Sequence, residues 1–322
     1  VNVGKNAELF KVAAAQAAPV FMDLEATVEK ACDLIAQAGR EGARLILLPE
    51  AFIPGYPDWV WLVPNSHRAI LNEMYTELVE NAVTVPDDTT KRLGQAAKSA
   101  GIHVAIGVNE RNSEASGTSL YNTLLFFDDR GNVMGKHRKL VPTGGERLVW
   151  AQGDGSTMEV FDTSLGKVGG LTCWENYMPL ARNVMYAGGT QIHLAPTWDP
   201  SDSWLLSLRH IAREGGMFVL GCCTALHLDD IPDRFEFKKL YQEGTEWINP
   251  GNSAIIGPNG EILAGPASEK EEILYAEVDL GLITAAKRMF DVAGHYARPD
   301  VFKFTLNREP NPMMQSTRDI DR

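Results

Sequence analysis

Twice along this chain a short apolar strand, an amphipathic helix and a second apolar strand follow one another, and each half also contains a hairpin. In the first half "FKVAAAQAAP" is an apolar run of small residues. The next stretch, "DLEATVEKACDLIAQAGREG", carries Val28, Ala31, Leu34, Ile35 and Ala38 at helical spacing, with Asp23 to cap its start and Gly39 or Gly42 to end it. "LILLPE" then reads as a buried parallel strand over 45–50. Helices are expected over 66–82 and 88–99, strands in "HVAIGVNER" and "YNTLLFFDD", and a turn at "DDRGNV". The second half repeats this grammar with "EVFDTSLGKVGGLTC" as a hairpin, "PLARNVMYAGG" as a helix and "TQIHLAPT" as a strand. "SWLLSLRHIAREGG" follows as a helix, "MFVLGCC" as a strand and "SAIIGPNGEILAGP" as a last hairpin. Strands that alternate with helices and also pair through hairpins imply a mixed sheet covered by helices. Two such sheets face to face give an α/β fold, a four-layer α-β-β-α sandwich.

No Pro/Gly/Ser-rich linker separates the halves, so 1–305 is expected to be a single domain. The tail over 306–322, "LNREPNPMMQSTRDIDR", is polar and interrupted by proline, and is expected to be disordered or to lie at a subunit interface. The net charge is −12 and no basic cluster exceeds "KHRK", which argues against nucleic acid and anionic membranes as partners. No run approaches the ~18 apolar residues that a membrane span needs, and the first residues lack a basic stretch leading into a sustained apolar one, so a cytoplasmic location is expected. The cysteines are Cys32, Cys173, Cys222 and Cys223, without a C-x-x-C pair or a histidine at zinc-finger spacing, and no structural metal is expected. Cys222 and Cys223 are successive strand residues facing opposite ways, which suits core packing and not a disulfide between them.

Four residues stand where strands are expected to end. Glu50 closes "LILLPE" before "AFIPGYP", whose prolines and glycine can neither extend a strand nor begin a helix. Lys139 leaves a hairpin strand for the Pro/Gly turn "KLVPTGG", Glu146 follows seven residues on, and Cys173 closes "VGGLTC" ahead of a helix that starts at Pro179. The C-terminal ends of parallel strands are where open α/β sheets hold ligands, and a turn into a helix can present backbone N–H groups to an anion. A buried structural cysteine and three surface charges would be the ordinary reading of each residue alone.

Taken together, "LLPEAFIPGYP", "HRKLVPTGGERLVW" and "LTCWENYMPLAR", in this order and at these separations, resemble the nitrilase superfamily of carbon-nitrogen hydrolases. They are most similar to its nitrile-hydrolysing branch, in which Cys-Trp-Glu-Asn follows the strand. The resemblance runs from about 10 to 304 and includes "DVAGHYARPDVF". It implies Cys173 as nucleophile, Glu50 as general base, Lys139 as cationic partner and Glu146 as a second active-site carboxylate, with no cofactor and no metal. It also implies a small nitrile and water as reactants, and homodimers that build larger or helical homo-oligomers across the "DVAGHYARPDVF" end.

The chemistry suits these residue types. A nitrile carbon is a modest electrophile that calls for a soft, strong nucleophile, and a thiol with a base beside it supplies one. Tyr56, Trp59, Trp150, Trp174, Tyr177, Met178, Thr197 and Trp198 are candidate pocket walls. An amidase or carbamoylase of the same superfamily and a cyanide hydratase or dihydratase share these motifs and stay open as alternatives. A Cys-His hydrolase is disfavoured, because His193 lies on a buried strand and the basic neighbours of His137 would oppose its protonation. A carboxylate-rich binding protein would leave the four strand-end residues a coincidence.

Overall fold

The computed structural model describes residues 9–312. The first half builds β1 (Phe10–Gln16), α1 (Leu24–Arg40), β2 (Ala43–Leu47), α2 (Arg68–Glu80), α3 (Asp88–Ala100), β3 (His103–Arg111), β4 (Leu120–Phe127) and β5 (Val133–Arg138). The second half builds β6 (Val160–Thr163), β7 (Gly166–Gly170), α4 (Pro179–Ala187), β8 (Ile192–Thr197), α5 (Asp202–Gly215), β9 (Phe218–Cys223) and β10 (Ala225–His227). It ends with β11 (Trp247–Ile256), β12 (Ile262–Ser268), β13 (Glu272–Val278) and α6 (Gly281–Lys287). Local chemistry sets the helix ends. Asp23 accepts the N–H of Ala26, Asp87 and Thr90 cap α3 reciprocally, and Ser201 accepts the N–H of Trp204.

One sheet runs β13-β1-β2-β3-β4-β5; the other runs β10-β11-β9-β8-β7-β6, with β12 paired to β11. Period-two alternation sorts β1 into two layers: Val12 and Ala14 face Leu194, Phe218, Leu220 and Ile255 of the second sheet, while Ala13 and Ala15 face Val28, Ala31 and Ile35 of α1. On the far side Trp204, Leu208 and Ile211 of α5 cover Val219, Ala254 and Ile256. The expected four-layer sandwich is thus the observed one. Within 306–312, Leu306 joins an apolar cluster with Met158 and the Asn311 N–H donates to Asp154, while 307–312 are exposed; the rest of the expected tail lies outside the described residues.

Two features differ from expectation. The strand expected over 45–50 stops at Leu47, because Pro49 has no N–H to continue the ladder; the last bond runs from the Leu48 N–H to the Ala105 carbonyl at 2.9 Å. "EILYAEV" forms β13, which leaves the second half of the chain to pair antiparallel with β1. Its charged residues mask an alternation in which Leu274 and Ala276 face the inter-sheet core and Ile273 and Tyr275 face α1.

β2 runs parallel to β1 and β3, and β5 runs the same way after two antiparallel steps, so β2 and β5 end on one edge of their sheet. β7, β8 and β9 are parallel in the other sheet. Gly107 in β3 lets the backbone after β2 come close: a Cβ there would stand 2.3 Å from the Pro49 carbonyl oxygen and 2.4 Å from the Ala51 nitrogen. Gly107→Ala must therefore push the Glu50 turn outward. It should destabilise the protein by about 1–3 kcal/mol in urea denaturation, and an unchanged midpoint would show that this turn yields freely.

Candidate active site

Glu50 stands three residues beyond β2 and Cys173 three residues beyond β7. Both turns need left-handed backbone at a residue with a side chain, Ala51 at φ 49° and Cys173 itself at φ 54°. The Cys173 turn is fastened on both sides. Asn176 Nδ2 donates to the carbonyls of Leu171 and Cys173 at 2.8 and 2.9 Å, and Glu175 accepts the Thr172 N–H at 2.8 Å. Glu146 accepts the Thr143 N–H in the same way one loop earlier, so the sequence pattern Thr-x-x-Glu recurs at both loops that approach the thiol.

Lys139, the first residue after β5, has its ammonium between two buried carboxylates. Nζ donates to Glu50 Oε1 at 2.8 Å and to Glu146 Oε2 at 2.7 Å. Glu50 Oε1 also accepts from Asn122 Nδ2 at 2.7 Å, and its Oε2 accepts the Trp198 N–H at 2.7 Å. Glu146 accepts from the Tyr56 hydroxyl at 2.7 Å and from the Thr143 N–H at 2.6 Å. Thr197 Oγ1 donates to Cys173 Sγ at 3.2 Å. One carboxylate oxygen from each glutamate and the sulfur lie within 4.8 Å of one another, a set that could hold a cation; the ammonium of Lys139 occupies the space between the two carboxylates and supplies that charge.

Burial decides the resting protonation states. Burial and the nearby Glu146 push Glu50 above the usual carboxylate range, against the pull of Lys139. For Lys139, burial alone would favour the neutral amine, but Glu50, Cys173 and Glu146 more than offset it and hold the ammonium above the lysine range. Burial, followed by the charge of Glu50, raises Cys173 well above an ordinary thiol despite Lys139. The site therefore rests with a protonated thiol beside a carboxylate of raised basicity, and any attack by sulfur must hand its proton to a neighbour.

The structure brings Cys173, Glu50, Lys139 and Glu146 together as expected. It also brings in four of the nominated wall residues. Tyr56 reaches Glu146, its ring stacks on Trp198 at 4.3 Å, Trp150 meets Tyr56 edge-on, and Thr197 touches the sulfur. Trp59 is seated in the core instead, its ring 6.0 Å from Phe237 and 6.4 Å from Phe21. Trp174 is half exposed with its indole N–H on Asp199, Tyr177 packs edge-on against Trp174 and Trp204, and Met178 packs beside Leu171 and Ala181.

The basic neighbours of His137 in sequence do not set its charge. Alternation along β5 turns Lys136 and Arg138 to Glu110 on the other face and His137 inward onto Glu175; burial opposes its charge, but Glu175 and Thr157 raise it above the usual range. His193 is pushed down to about 3 by burial and Arg182, with Nε2 on Asn176 at 2.7 Å. Both imidazoles are thus engaged away from the sulfur. Asn122 and Glu175 were not anticipated. Only the second carried a signal, the Thr-x-x-Glu spacing; an asparagine on a strand carries none.

Comparison with known proteins places this geometry in a family. The carbon-nitrogen hydrolase family matches residues 11–288. An aliphatic nitrilase of Sinorhizobium fredii is 44% identical over 305 residues, covering 94% of this chain and 96% of that one. A bifunctional nitrilase/nitrile hydratase of Nicotiana tabacum is 43% identical over 316 residues, covering 95% and 89%. Among solved structures, a carbon-nitrogen hydrolase from Helicobacter pylori G27 superposes with a TM-score of 0.70 at 22% identity, covering 92% and 98%, a likeness of fold.

The protonation states predict that iodoacetamide labels Cys173 in the resting protein more slowly at pH 8 than it labels a free thiol, with the rate climbing only above the ordinary thiol pKa of about 8.5. Peptide mapping by mass spectrometry reads this. Rapid labelling at pH 7 would mean a resting thiolate.

Proposed function

Since the chain belongs to the carbon-nitrogen hydrolase family, in its nitrile-hydrolysing branch, we propose that it converts an organic nitrile to the carboxylic acid and ammonia by covalent catalysis at Cys173. The observation that carries the reading is the Lys139 ammonium held between Glu50 and Glu146 beside a protonated thiol, with both nearby imidazoles committed elsewhere. Glu50 takes the thiol proton as sulfur adds to the nitrile carbon, and that proton passes to the nitrile nitrogen to give a thioimidate. Water then adds, its proton also passing through Glu50, to form a tetrahedral carbon bearing sulfur, oxygen and nitrogen. In this reading Lys139 and the Trp174 N–H stabilise the charge that develops there; a donor of this kind contributes about 3–4 kcal/mol in a preorganised, dry site.

Cleavage of the C–N bond, with protonation of the departing nitrogen, releases ammonia and leaves a thioester. A second water hydrolyses the thioester to the acid and regenerates the thiol. Cleavage of the C–S bond at the same intermediate instead releases the amide, the second outcome for which the Nicotiana tabacum relative is named. Glu146 opposes that branch by holding Lys139 and its positive charge towards the departing nitrogen. Tyr56, Trp150, Thr197 and Trp198 form the substrate wall in this reading. No step requires a metal or cofactor, and water is the second substrate.

We further read 1–305 as one catalytic domain working in the cytoplasm as a homodimer or a larger homo-oligomer. No helix among the described residues is long and apolar enough to cross a membrane. Assembly is supported by the apolar side chains left in solvent near the C-terminal end, Met289, Tyr296, Val301 and Phe302 among them. Light scattering of the intact chain should give at least a dimer; a fully active monomer would contradict this.

Cys173→Ala should abolish turnover in a folded protein, and Lys139→Ala and Glu50→Gln should each cost several orders of magnitude in kcat. Because these groups act as a unit, the double variant should be little worse than either single one. Losses that multiply would place Lys139 and Glu50 in separate roles, and a tenth of wild-type turnover in Cys173→Ala would remove the nucleophile.

A further inference from the structure

A third carboxylate is buried beside the thiol and takes no part in those proton transfers. Glu175, two residues past Cys173, joins three segments: Oε1 accepts the Leu140 N–H at 2.6 Å, Oε2 accepts the Thr172 N–H at 2.8 Å, and His137 Nε2 lies 3.1 and 3.0 Å from the two oxygens. Leu140 follows Lys139 on the first sheet's edge; Thr172 precedes Cys173 on the second sheet's edge. Both N–H groups lie beyond the ends of their strands, where no ladder partner remains. Burial works against charge on Glu175, but His137 and the two N–H groups hold its carboxyl below the usual range. The other ring nitrogen of His137 lies 3.4 Å from Thr157 Oγ1, so both nitrogens face oxygen.

We propose that Glu175, braced by His137, is a positioning residue that fixes the Lys139 ammonium against the intermediate on Cys173. The inference rests on the nitrile-hydrolysis reading above. Lys139 and Cys173 sit on different sheets, so no single element sets their separation. A carboxylate that accepts from the residue after one and the residue before the other sets it with charge-assisted hydrogen bonds, which are short and directional. Loosening that joint moves the ammonium relative to the intermediate, and a misplacement of about 1 Å can cost roughly 100-fold in rate. It also weakens the hold on the departing nitrogen, so C–S cleavage gains on C–N cleavage and more amide is released.

The test measures kcat, KM and the acid-to-amide ratio from one nitrile that the wild type hydrolyses, per titrated thiol of folded protein, together with the thermal midpoint. Glu175→Gln keeps the shape, but its NH₂ faces one of the two N–H donors, so one bond is lost whichever way the amide turns. His137→Phe removes the brace and His137→Gln restores a donor. Ile35→Ala, in the core between α1 and the first sheet, calibrates what lost stability alone does to these readings. Glu175→Gln should lower kcat roughly 10- to 100-fold with KM moving less than about threefold, and should raise the amide fraction. His137→Phe should do the same to a smaller extent, His137→Gln should recover most of it, and Ile35→Ala should lower the midpoint with the ratio unmoved. An amide fraction in Glu175→Gln equal to wild type, or a loss carried by KM alone, overturns the proposal. If Glu175→Gln does not fold, the two His137 variants decide by the same criteria. A wild type without nitrile turnover would refute the reaction itself, and the positioning role with it, whereas an active wild type with unmoved variants refutes the positioning role alone.

Discussion

The site depends on keeping one ammonium ion out of water. Lys139 is fully buried, and a charge in that position is tolerable only with opposite charge and hydrogen bonds around it. Glu50 and Glu146 supply both, and each is satisfied in turn by donors from other elements: Asn122 on β4, the Trp198 N–H after β8, Tyr56 and the Thr143 N–H. Removing the ammonium would strand two buried carboxylates, a loss on the order of 3–5 kcal/mol. Burial, with the charge of Glu50 added to it, keeps the thiol beside this cluster protonated. The proposed reaction then starts from a neutral thiol beside a carboxylate of raised basicity instead of a standing thiolate.

The sandwich makes that arrangement possible. Neither sheet holds the site by itself: Glu50, Asn122 and Lys139 come from the first, and Cys173, Thr197 and Trp198 come from the second. The inter-sheet core, in which Val12, Leu45 and Leu47 meet Leu194, Phe218 and Leu220, brings the two edges together and excludes water from the polar cluster at its margin. Two side-chain-bearing residues in left-handed backbone, Ala51 and Cys173, mark where chain direction was fitted to that margin, at a strain of about 1–3 kcal/mol each.

Much of this could be read from residue types and spacing. Helix periodicity, the cap at Asp23, and the pairing of hairpins with crossovers point to two mixed sheets, and three motifs in register point to Glu50, Lys139, Glu146 and Cys173. What escaped depends on partners distant in sequence. β13 pairs with β1 across some 260 residues, and nothing local to "EILYAEV" names that partner. Asn122 reaches Glu50 across 72 positions. Trp59 has the same character on paper as Tyr56 but faces Phe21 and Phe237. The charge environment of His137 is hidden for a related reason: its charged neighbours in sequence are on the opposite face of the strand, and its true neighbour is 38 residues away. Strand alternation in "KHRK" puts Lys136 and Arg138 on one face and His137 on the other.

The proposed catalysis rests on a covalent bond to Cys173. Acid quenching during steady-state turnover of a nitrile, followed by peptide mapping by mass spectrometry, reads that bond directly. The predicted result is a substrate-derived thioimidate or thioester mass on the peptide that contains Cys173, with Cys32, Cys222 and Cys223 unmodified. Sustained turnover with no adduct on Cys173, or with the adduct on another residue, would contradict it.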